Sequence, residues 1–394
     1  MGMLDKMRVL ALVYTMRKKH LHKNAEKLAY NLIKDNNPLG FFYLAEMKYL
    51  YGEDEVALPL NEKFLAAYPF HADGFYLHAK ILQNMGKTEL AWEMLENLLE
   101  HSTRLKTWLI MANLIETKDD FQRIMNNYEK ASVHNTALKE SRAVKEYLSL
   151  AALRSAQYEE AKKFLREMVL SHQVSHSKNS QPKKFSVKNA AIALKELAQV
   201  LANHNIEMFL VSGTFLGCIR EGKLLSFDKD LDVGIWRTTS KESLLKIVRA
   251  SGSFYIQASR SPDIVRLTHI SGTPIDIFYH NKEGDRFWHG GIKARWYNKA
   301  FDLVKYRFLG QEYLGPKDYD LYLRENYGEW RKPKKDFDNV LDTPNAEVVN
   351  EDEMVIHLLR LLMKKYSINN KENIFFQLQR LGEKVFVEHY KKLK

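Results

Sequence analysis

Residues 209–236 read FLVSGTFLGCIREGKLLSFDKDLDVGIW, and the rest of the chain is best understood outward from them. Phe209-Leu210-Val211-Ser212 reads as a short strand, and Gly213-Thr214 then opens a helix that runs through Gly217 and Ile219. The acidic run Asp228-Lys229-Asp230-Leu231-Asp232 follows. It leads into a strand over Leu231–Trp236, where Leu231, Val233 and Ile235 alternate as buried strand residues do. Side chains on a strand alternate with a period of two, so Asp230 and Asp232 share a face and Lys229 points the other way. A further acid, Asp276, stands in the apolar strand Thr273-Pro274-Ile275-Asp276-Ile277-Phe278. Two carboxylates on one face with a third on a neighbouring strand can grip one hard cation. Mg2+ or Mn2+, shared with substrate phosphates, is the ion expected. The chemistry indicated is phosphoryl transfer from an activated donor.

The segments around this stretch complete an α/β or α+β arrangement with a mixed sheet. Val187–His204 is an amphipathic helix with Ala191, Leu194, Leu197, Ala198 and Leu201 on one stripe. Ile264–Thr268 and Ile275–Tyr279 read as strands, and His289-Gly290-Gly291 as a turn. From about Asn350 the pattern is helical again, with apolar periodicity over Val355–Lys364 and Ile374–Val387 and a basic end, Lys391-Lys392-Leu393-Lys394. That lysine-rich face reads as solvated, or as a contact for anionic membrane or glycan.

Up to about residue 170 the sequence reads as helix throughout, and it repeats itself. Gly52 to Gly86 and Ala57 to Ala91 are both steps of 34 residues, and Ala161 falls 70 residues after Ala91. The unit around Thr117–Ala131 is degenerate, and an earlier one is centred on Asn24–Leu28. This is a tetratricopeptide-like pattern: Gly permits the tight turn between antiparallel helices, and Ala lets them approach closely. Such units bury their apolar faces only against one another, so they stack into an α-superhelix. Its surface either binds a protein or glycan or supports the neighbouring domain. Trp92, Trp108, Phe75 and Tyr76 sit at helical spacing and belong to its core.

The domains expected are therefore 1–172 (helical repeats), 173–185 (linker), 186–345 (mixed-sheet domain) and 346–394 (helical extension). The linker is polar, with Pro182 and three lysines. His172 and His176 lie four residues apart where the linker begins, but no further ligand follows, so the pair is not read as a metal site. The chain has 394 residues and a formal net charge of +11, which attracts polyanions without choosing among them. Its one cysteine, Cys218, excludes an internal disulfide, fits a reducing compartment and reads as a small packing residue. No stretch approaches the roughly 20 apolar residues that span a bilayer. Met7–Met16 is apolar but short and is followed at once by Arg17-Lys18-Lys19, with no cleavage site; Lys6 spoils a myristoylation signal. The expected location is the cytoplasm, with peripheral contact at the inner face of the cytoplasmic membrane left open.

Ser212-Gly213-Thr214-Phe215-Leu216-Gly217-Cys218-Ile219-Arg220, followed by Phe227-Asp228-Lys229-Asp230-Leu231-Asp232-Val233-Gly234, resembles the LicD/fukutin family. Ile275-Asp276-Ile277-Phe278 and the distal segments Tyr313–Leu323, Tyr327–Trp330 and Pro333 extend the resemblance over roughly residues 187–335. It implies a nucleotidyltransferase-like fold and transfer of a phosphate-linked substituent from a CDP-activated donor to a glycan acceptor. Where many LicD members carry Asp, this chain has Lys229, as fukutin-related proteins do. That leans the implied donor toward an alditol phosphate, ribitol or glycerol, rather than phosphocholine.

The roles expected follow from both lines. Asp230, Asp232 and Asp276 are metal ligands, with Asp276 alternatively the base for the acceptor hydroxyl. Gly213 and the amides at the helix start, with the Thr214 hydroxyl, would hold phosphate. Arg220 occupies the family's basic position and would neutralise diphosphate, with Lys223 a weaker candidate and Asp228 an outer ligand or loop residue. Tyr327, Gly328 and Trp330 read as packing and turn residues. His269, His280 and His289 have no evident partner, though His280 follows the Asp276 strand and could approach the site. The implied setting is bacterial capsule or lipooligosaccharide synthesis, with no nucleic-acid partner expected and with the repeats free to dock a protein. A nucleotidyltransferase acting on nucleic acid and a catalytically inactive repeat scaffold are the competing readings.

Overall fold

The computed structural model describes residues 3–171, 186–225, 228–334, 337–363 and 368–393. The linker 173–185, the His172/His176 pair and Phe227 lie outside the described residues. The N-terminal part is helical: α1 (Met3–Met16), α2 (His22–Lys34), α3 (Leu39–Leu50), α4 (Asp54–Ala67), α5 (Ala72–Asn84), α6 (Thr88–His101), α7 (Lys106–Leu114), α8 (Lys118–His134), α9 (Thr136–Glu140), α10 (Arg142–Arg154) and α11 (Tyr158–Leu170). Gly52 and Gly86 precede α4 and α6 in left-handed backbone, φ 78° and 74°, as a tight turn between helices requires. Asn36 and Ala156 take the same conformation at their own turns, both with φ 56°. The last turn is thus made without glycine, which hides it from a reading keyed on Gly. Trp92, Trp108, Phe75 and Tyr76 are all buried, as expected.

Beyond residue 186 helices and strands alternate: α12 (Val187–Ala202), β1 (Met208–Leu210), α13 (Ser212–Glu221), β2 (Leu231–Trp236), α14 (Lys241–Ala250), β3 (Phe254–Gln257), β4 (Ile264–His269), β5 (Pro274–Glu283), β6 (Arg286–Gly290), β7 (Ala294–Lys299), β8 (Leu303–Phe308), β9 (Gln311–Pro316), α15 (Tyr319–Tyr327) and β10 (Ala346–Val348). Helices α16 (Glu351–Leu362), α17 (Ile368–Arg380) and α18 (Lys384–Lys392) end the chain. The architecture is thus a helical N-terminal region, a mixed-sheet domain and C-terminal helices. Among the described residues no helix is long and apolar enough to cross a membrane.

The strands form one sheet in the order β10-β7-β6-β5-β2-β1-β9-β8, with β4 also on β5 and β3 on β4. β2 pairs parallel with β5 and β1 with β9; the other pairings are antiparallel. Leu231, Val233, Ile235, Ile275, Ile277 and Tyr279 point into one apolar layer together with Leu194, Leu197 and Leu201 of α12. The α12 stripe is turned slightly from the expected one: Ala190 and Ala193 are buried, while Ala191 and Ala198 are only partly so. His289 and Gly290, expected in a turn, instead end strand β6.

The chain divides into two compact units, Met1–Ala57 with Ser180–Val349, and Leu58–Asn179 with Asn350–Lys394. This grouping crosses the boundaries drawn from sequence at 172 and 346. In the first unit Arg249 of α14 donates to Asp54 Oδ1 at 2.8 Å and to the Tyr49 carbonyl at 3.1 Å. Tyr255 of β3 donates to Glu46 Oε1 at 3.1 Å. Helices α1 to α3 therefore belong with the sheet. In the second unit Lys162 of α11 pairs with Asp352 of α16 at 2.8 Å, and Arg166 grips the buried Glu383 carboxylate at the start of α18, its Nε donating to Oε2 at 3.0 Å. Apolar periodicity identifies a helix but not which partner its face will choose, so composition boundaries and packing boundaries need not agree.

Removing the Arg166 guanidinium strands a buried carboxylate. Arg166→Ala is expected to destabilise the second unit by about 1–3 kcal/mol, read as a lower urea midpoint. An unchanged midpoint would show that this ion pair does not tie α18 to the helical stack.

Candidate active site

The site forms at the end of the central strands, where β1 ends and β2 and β5 begin. The parallel register sets Asp232 directly opposite Asp276, and the antiparallel register of β4 sets Arg266 opposite Asp276 from the other side. Between β1 and α13 the backbone turns through Ser212 with φ 47°, a left-handed conformation uncommon for a residue with a side chain. The turn aims the start of α13 at the acids. The Gly213 N–H donates to Asp232 Oδ2 at 3.3 Å, and the Asp232 N–H donates to Thr214 Oγ1 at 2.8 Å. A Cβ on Gly213 would lie 3.3 Å from Asp228 Oδ1 and 3.5 Å from Asp232 Oδ2, so glycine leaves the space that both carboxylates use.

These acids are electrostatically crowded. Burial, then Asp230, Asp276 and Asp228 in turn, hold the Asp232 carboxyl well above the usual range, with only the Gly213 N–H pulling the other way. Burial pushes Asp228 up to about 7, with Asp230 adding to it and Arg220 opposing. Burial also raises Asp230 and Asp276, and Arg266 counters both. Four carboxyls in one partly desolvated place cost stability unless positive charge joins them. Asp228 Oδ2 is buried without a hydrogen-bond partner, an acceptor left over.

That oxygen-only, acid-rich donor set suits a hard divalent cation. The side chains as placed do not close on one: among the described residues no three His, Cys, Asp or Glu groups converge tightly enough to enclose a metal. Arg266 Nε instead stands 3.4 Å from Asp276 Oδ2.

The remaining expected residues divide. Gly213, Thr214, Asp228, Asp230, Asp232 and Asp276 come together. The Thr214 hydroxyl, expected to meet phosphate, is engaged as the acceptor that fixes the Asp232 backbone. Arg220 ends α13 with its side chain mostly buried; Nη1 donates to the Trp330 carbonyl at 3.2 Å, and Nε is buried without a partner. It is close enough to Asp228 to oppose that carboxyl's shift. Lys223 is exposed, and what it brings to the core is its carbonyl, which would lie 2.7 Å from a Cβ on Gly217.

His280 shares the Asp276 face but lies deeper along β5. It is buried, stacks on His289 at 4.6 Å between ring centres and packs against Phe209 and Trp236. His289 stacks in turn on Trp296. Burial holds His280 well below the ordinary imidazole value and His289 at about 4. Both are core residues. His269 is also buried, 3.2 Å from Glu196.

Two contributors escape a sequence reading. Arg266 looks like any cation in Ile264-Val265-Arg266-Leu267, and only the β4–β5 register reveals its partner. Tyr327, read as packing, also lies near enough to Asp232 and Asp228 for both to raise its hydroxyl's pKa, after burial itself.

A strand–turn–helix followed by two acid-bearing strands is the plan of a nucleotidyltransferase domain. Residues 205–318 match the family model for the LicD/FKTN/FKRP nucleotidyltransferase domain. Among curated proteins the chain is 26% identical over 200 residues to the ribitol-5-phosphate transferase FKTN of Mus musculus, covering 48% of this chain and 42% of the relative. The human FKTN is 26% identical over 170 residues, 41% of this chain and 37% of that one. An uncharacterized protein of Rickettsia prowazekii is 29% identical over 149 residues, 35% of this chain and 54% of the relative. The chain thus spans about half the length of these relatives, or less.

Two outcomes are expected. Thr214→Val leaves the Asp232 amide unpaired and should cost about 1–3 kcal/mol, while Thr214→Ser should lose little; equal losses in urea melts would remove the hydroxyl from this role. A histidine buried neutral must gain a proton on unfolding, so its stabilising effect is full above pH about 6.5 and is lost as pH falls toward 4. His289→Phe should flatten the fall in stability across that window. A slope as steep as the wild type's would place the acid sensitivity elsewhere.

Proposed function

We propose that the chain is a metal-dependent phosphotransferase that moves an alditol phosphate (ribitol or glycerol phosphate), or phosphocholine, from a CDP-activated donor to a glycan. The observation that carries this reading is the crowding of Asp228, Asp230, Asp232 and Asp276 around the α13 turn, with one buried acceptor oxygen left unpaired. Kinship with the FKTN relatives supports a ribitol-phosphate type of reaction on a glycan.

In the reaction an acceptor hydroxyl attacks the phosphorus that bears the alditol. The new O–P bond replaces the bridging P–O bond, and CMP leaves with that electron pair. Asp230, Asp232 and Asp276 are the proposed holders of a Mg2+ or Mn2+ ion, which when bound offsets the charge of the diphosphate. Asp276 takes the hydroxyl proton when it is not a ligand, and Arg266 restrains its orientation. Arg220, whose buried Nε has no partner, offers positive charge to phosphate; Lys223 offers it from the surface. Gly213 keeps the turn open, and Thr214 holds the Asp232 strand in line.

The wider proposals go beyond that kinship and extend the resemblance and the repeat spacing read from the sequence. The acceptor would be a bacterial surface polysaccharide, capsule or lipooligosaccharide, assembled on the cytoplasmic side. The helical stack, tetratricopeptide-like in its spacing, would dock the acceptor or a partner enzyme. A nucleic-acid partner is not expected.

CMP release from CDP-ribitol, CDP-glycerol and CDP-choline, with Mg2+ or Mn2+ and glycan acceptors, tests the reaction. One donor is expected to be consumed, and Asp230→Ala/Asp232→Ala should lower turnover at least about 100-fold. Asp232→Asn should lose turnover while remaining folded. No release from any donor would shift weight to nucleotidyl transfer on nucleic acid or to an inactive scaffold.

A further inference from the structure

Helix α1, MLDKMRVLALVYTM, is apolar on two opposite faces. A helix that is apolar all round belongs in an interior. Among the described residues the covered face of α1 is the one that carries Leu12 and Met16, which are buried, and the helix packs on α2. At 100° per residue the other face carries Leu4, Met7, Leu10, Ala11 and Tyr14 within about a third of a turn. Leu4, Met7, Leu10 and Tyr14 are 62%, 59%, 68% and 59% exposed.

Cations outnumber acids along the borders of this stripe. Exposed Lys6 and Arg17 lie along one border. Lys18 covers the Tyr14 ring at 4.0 Å from its centre and donates to its hydroxyl. Lys188 of α12 lies near enough to lower the Tyr14 pKa, after Lys18. On the other border Arg8 is paired with Asp35, and Asp5 points toward the covered side at this helical spacing. No acid stands in the exposed stripe. Lys188 and Ile192 are one helical turn apart on α12, and Ile192 is 42% exposed.

We propose that this surface of the first unit is a docking face for an anionic lipid bilayer, with α1 lying in the plane of the interface. Leu4, Met7 and Leu10 would enter the acyl boundary. Tyr14 suits headgroup depth, because it joins an apolar ring to a polar tip. Lys6, Arg17, Lys18 and Lys188 would reach lipid phosphates while their stems run along the apolar surface. Side-chain insertion explains the uncovered leucines, and the basic border selects a negatively charged layer over a neutral one. The inference stands apart from the phosphotransferase reading and does not depend on it.

The test is co-sedimentation of the full chain with vesicles of phosphatidylcholine alone and with about a third phosphatidylglycerol. Binding to the anionic vesicles, weakened by 0.5 M salt, is expected. Met7→Asp/Leu10→Asp should reduce it at least about tenfold, and Arg17→Glu/Lys18→Glu should reduce it on anionic vesicles only. Tyr14→Trp supplies a second reading: its emission should shift to the blue on binding and be quenched by brominated acyl chains. Because Met7, Leu10, Tyr14 and Arg17 are exposed and Lys18 is only half-buried, thermal midpoints should stay within a few degrees of wild type. Equal binding to both vesicle types, no binding to either, or unchanged binding by the Asp variant overturns the proposal. A concentration-dependent dimer that the Asp variant abolishes, without vesicle binding, would assign the stripe to a second copy of the chain.

Discussion

The parallel pairing of β2 with β5 is the constraint on which the rest of the site depends. A one-residue slip would turn Asp232 or Asp276 into the apolar layer that Val233, Ile235, Ile277 and Tyr279 fill. With that register fixed, Asp232 stands opposite Asp276, and Asp230 and Asp228 arrive from the preceding loop. The backbone then serves the acids. The α13 start gives an N–H to Asp232, Thr214 holds the Asp232 amide, and Gly213 keeps clear of two carboxylates. Repulsion among carboxyls is retained here at a cost in stability, and functional sites are where such costs tend to persist.

The same face of the sheet changes character away from the acids. His280, His289 and Trp296 stack behind Asp276 with Phe278 edge-on to His289, and Phe209 and Trp236 close the far end. This aromatic block anchors β5 and β2 rigidly, which suits a site whose geometry must be held while charge moves. Helix α3 and the start of α4 reinforce the unit through Arg249 and Tyr255, so the sheet carries helical support far removed from it in sequence.

Much of this was legible in the sequence. Alternation of Leu231, Val233 and Ile235 placed β2 over the residues it occupies, and the face shared by Asp230 and Asp232 followed from the two-residue period. Strand β4 and the start of α12 were also visible. The strands β6 to β8 were not read: Arg286, Phe287 and Trp288 of β6 are all half-buried and give no alternation, whereas Leu303–Phe308 does alternate, with Val304, Tyr306 and Phe308 opposite Lys305 and Arg307, and was passed over. Nor was Arg266 or the depth of His280, because each depends on register between strands. The role of Thr214 as an acceptor for a backbone amide, rather than a donor toward substrate, depends on a turn only three dimensions reveal. The unit boundaries failed to follow composition for the same reason: helical periodicity is blind to the partner.

If four carboxyls are held together in order to share a cation, Mn2+ should bind where they meet. The most direct measurement is an electron paramagnetic resonance titration of Mn2+, with and without CDP, on the wild type and on Asp232→Asn. One ion bound per chain, tighter with CDP and weakened at least about tenfold by the substitution, is the result predicted. No bound ion under either condition, or an Asp232→Asn protein that binds as tightly as the wild type, would contradict it.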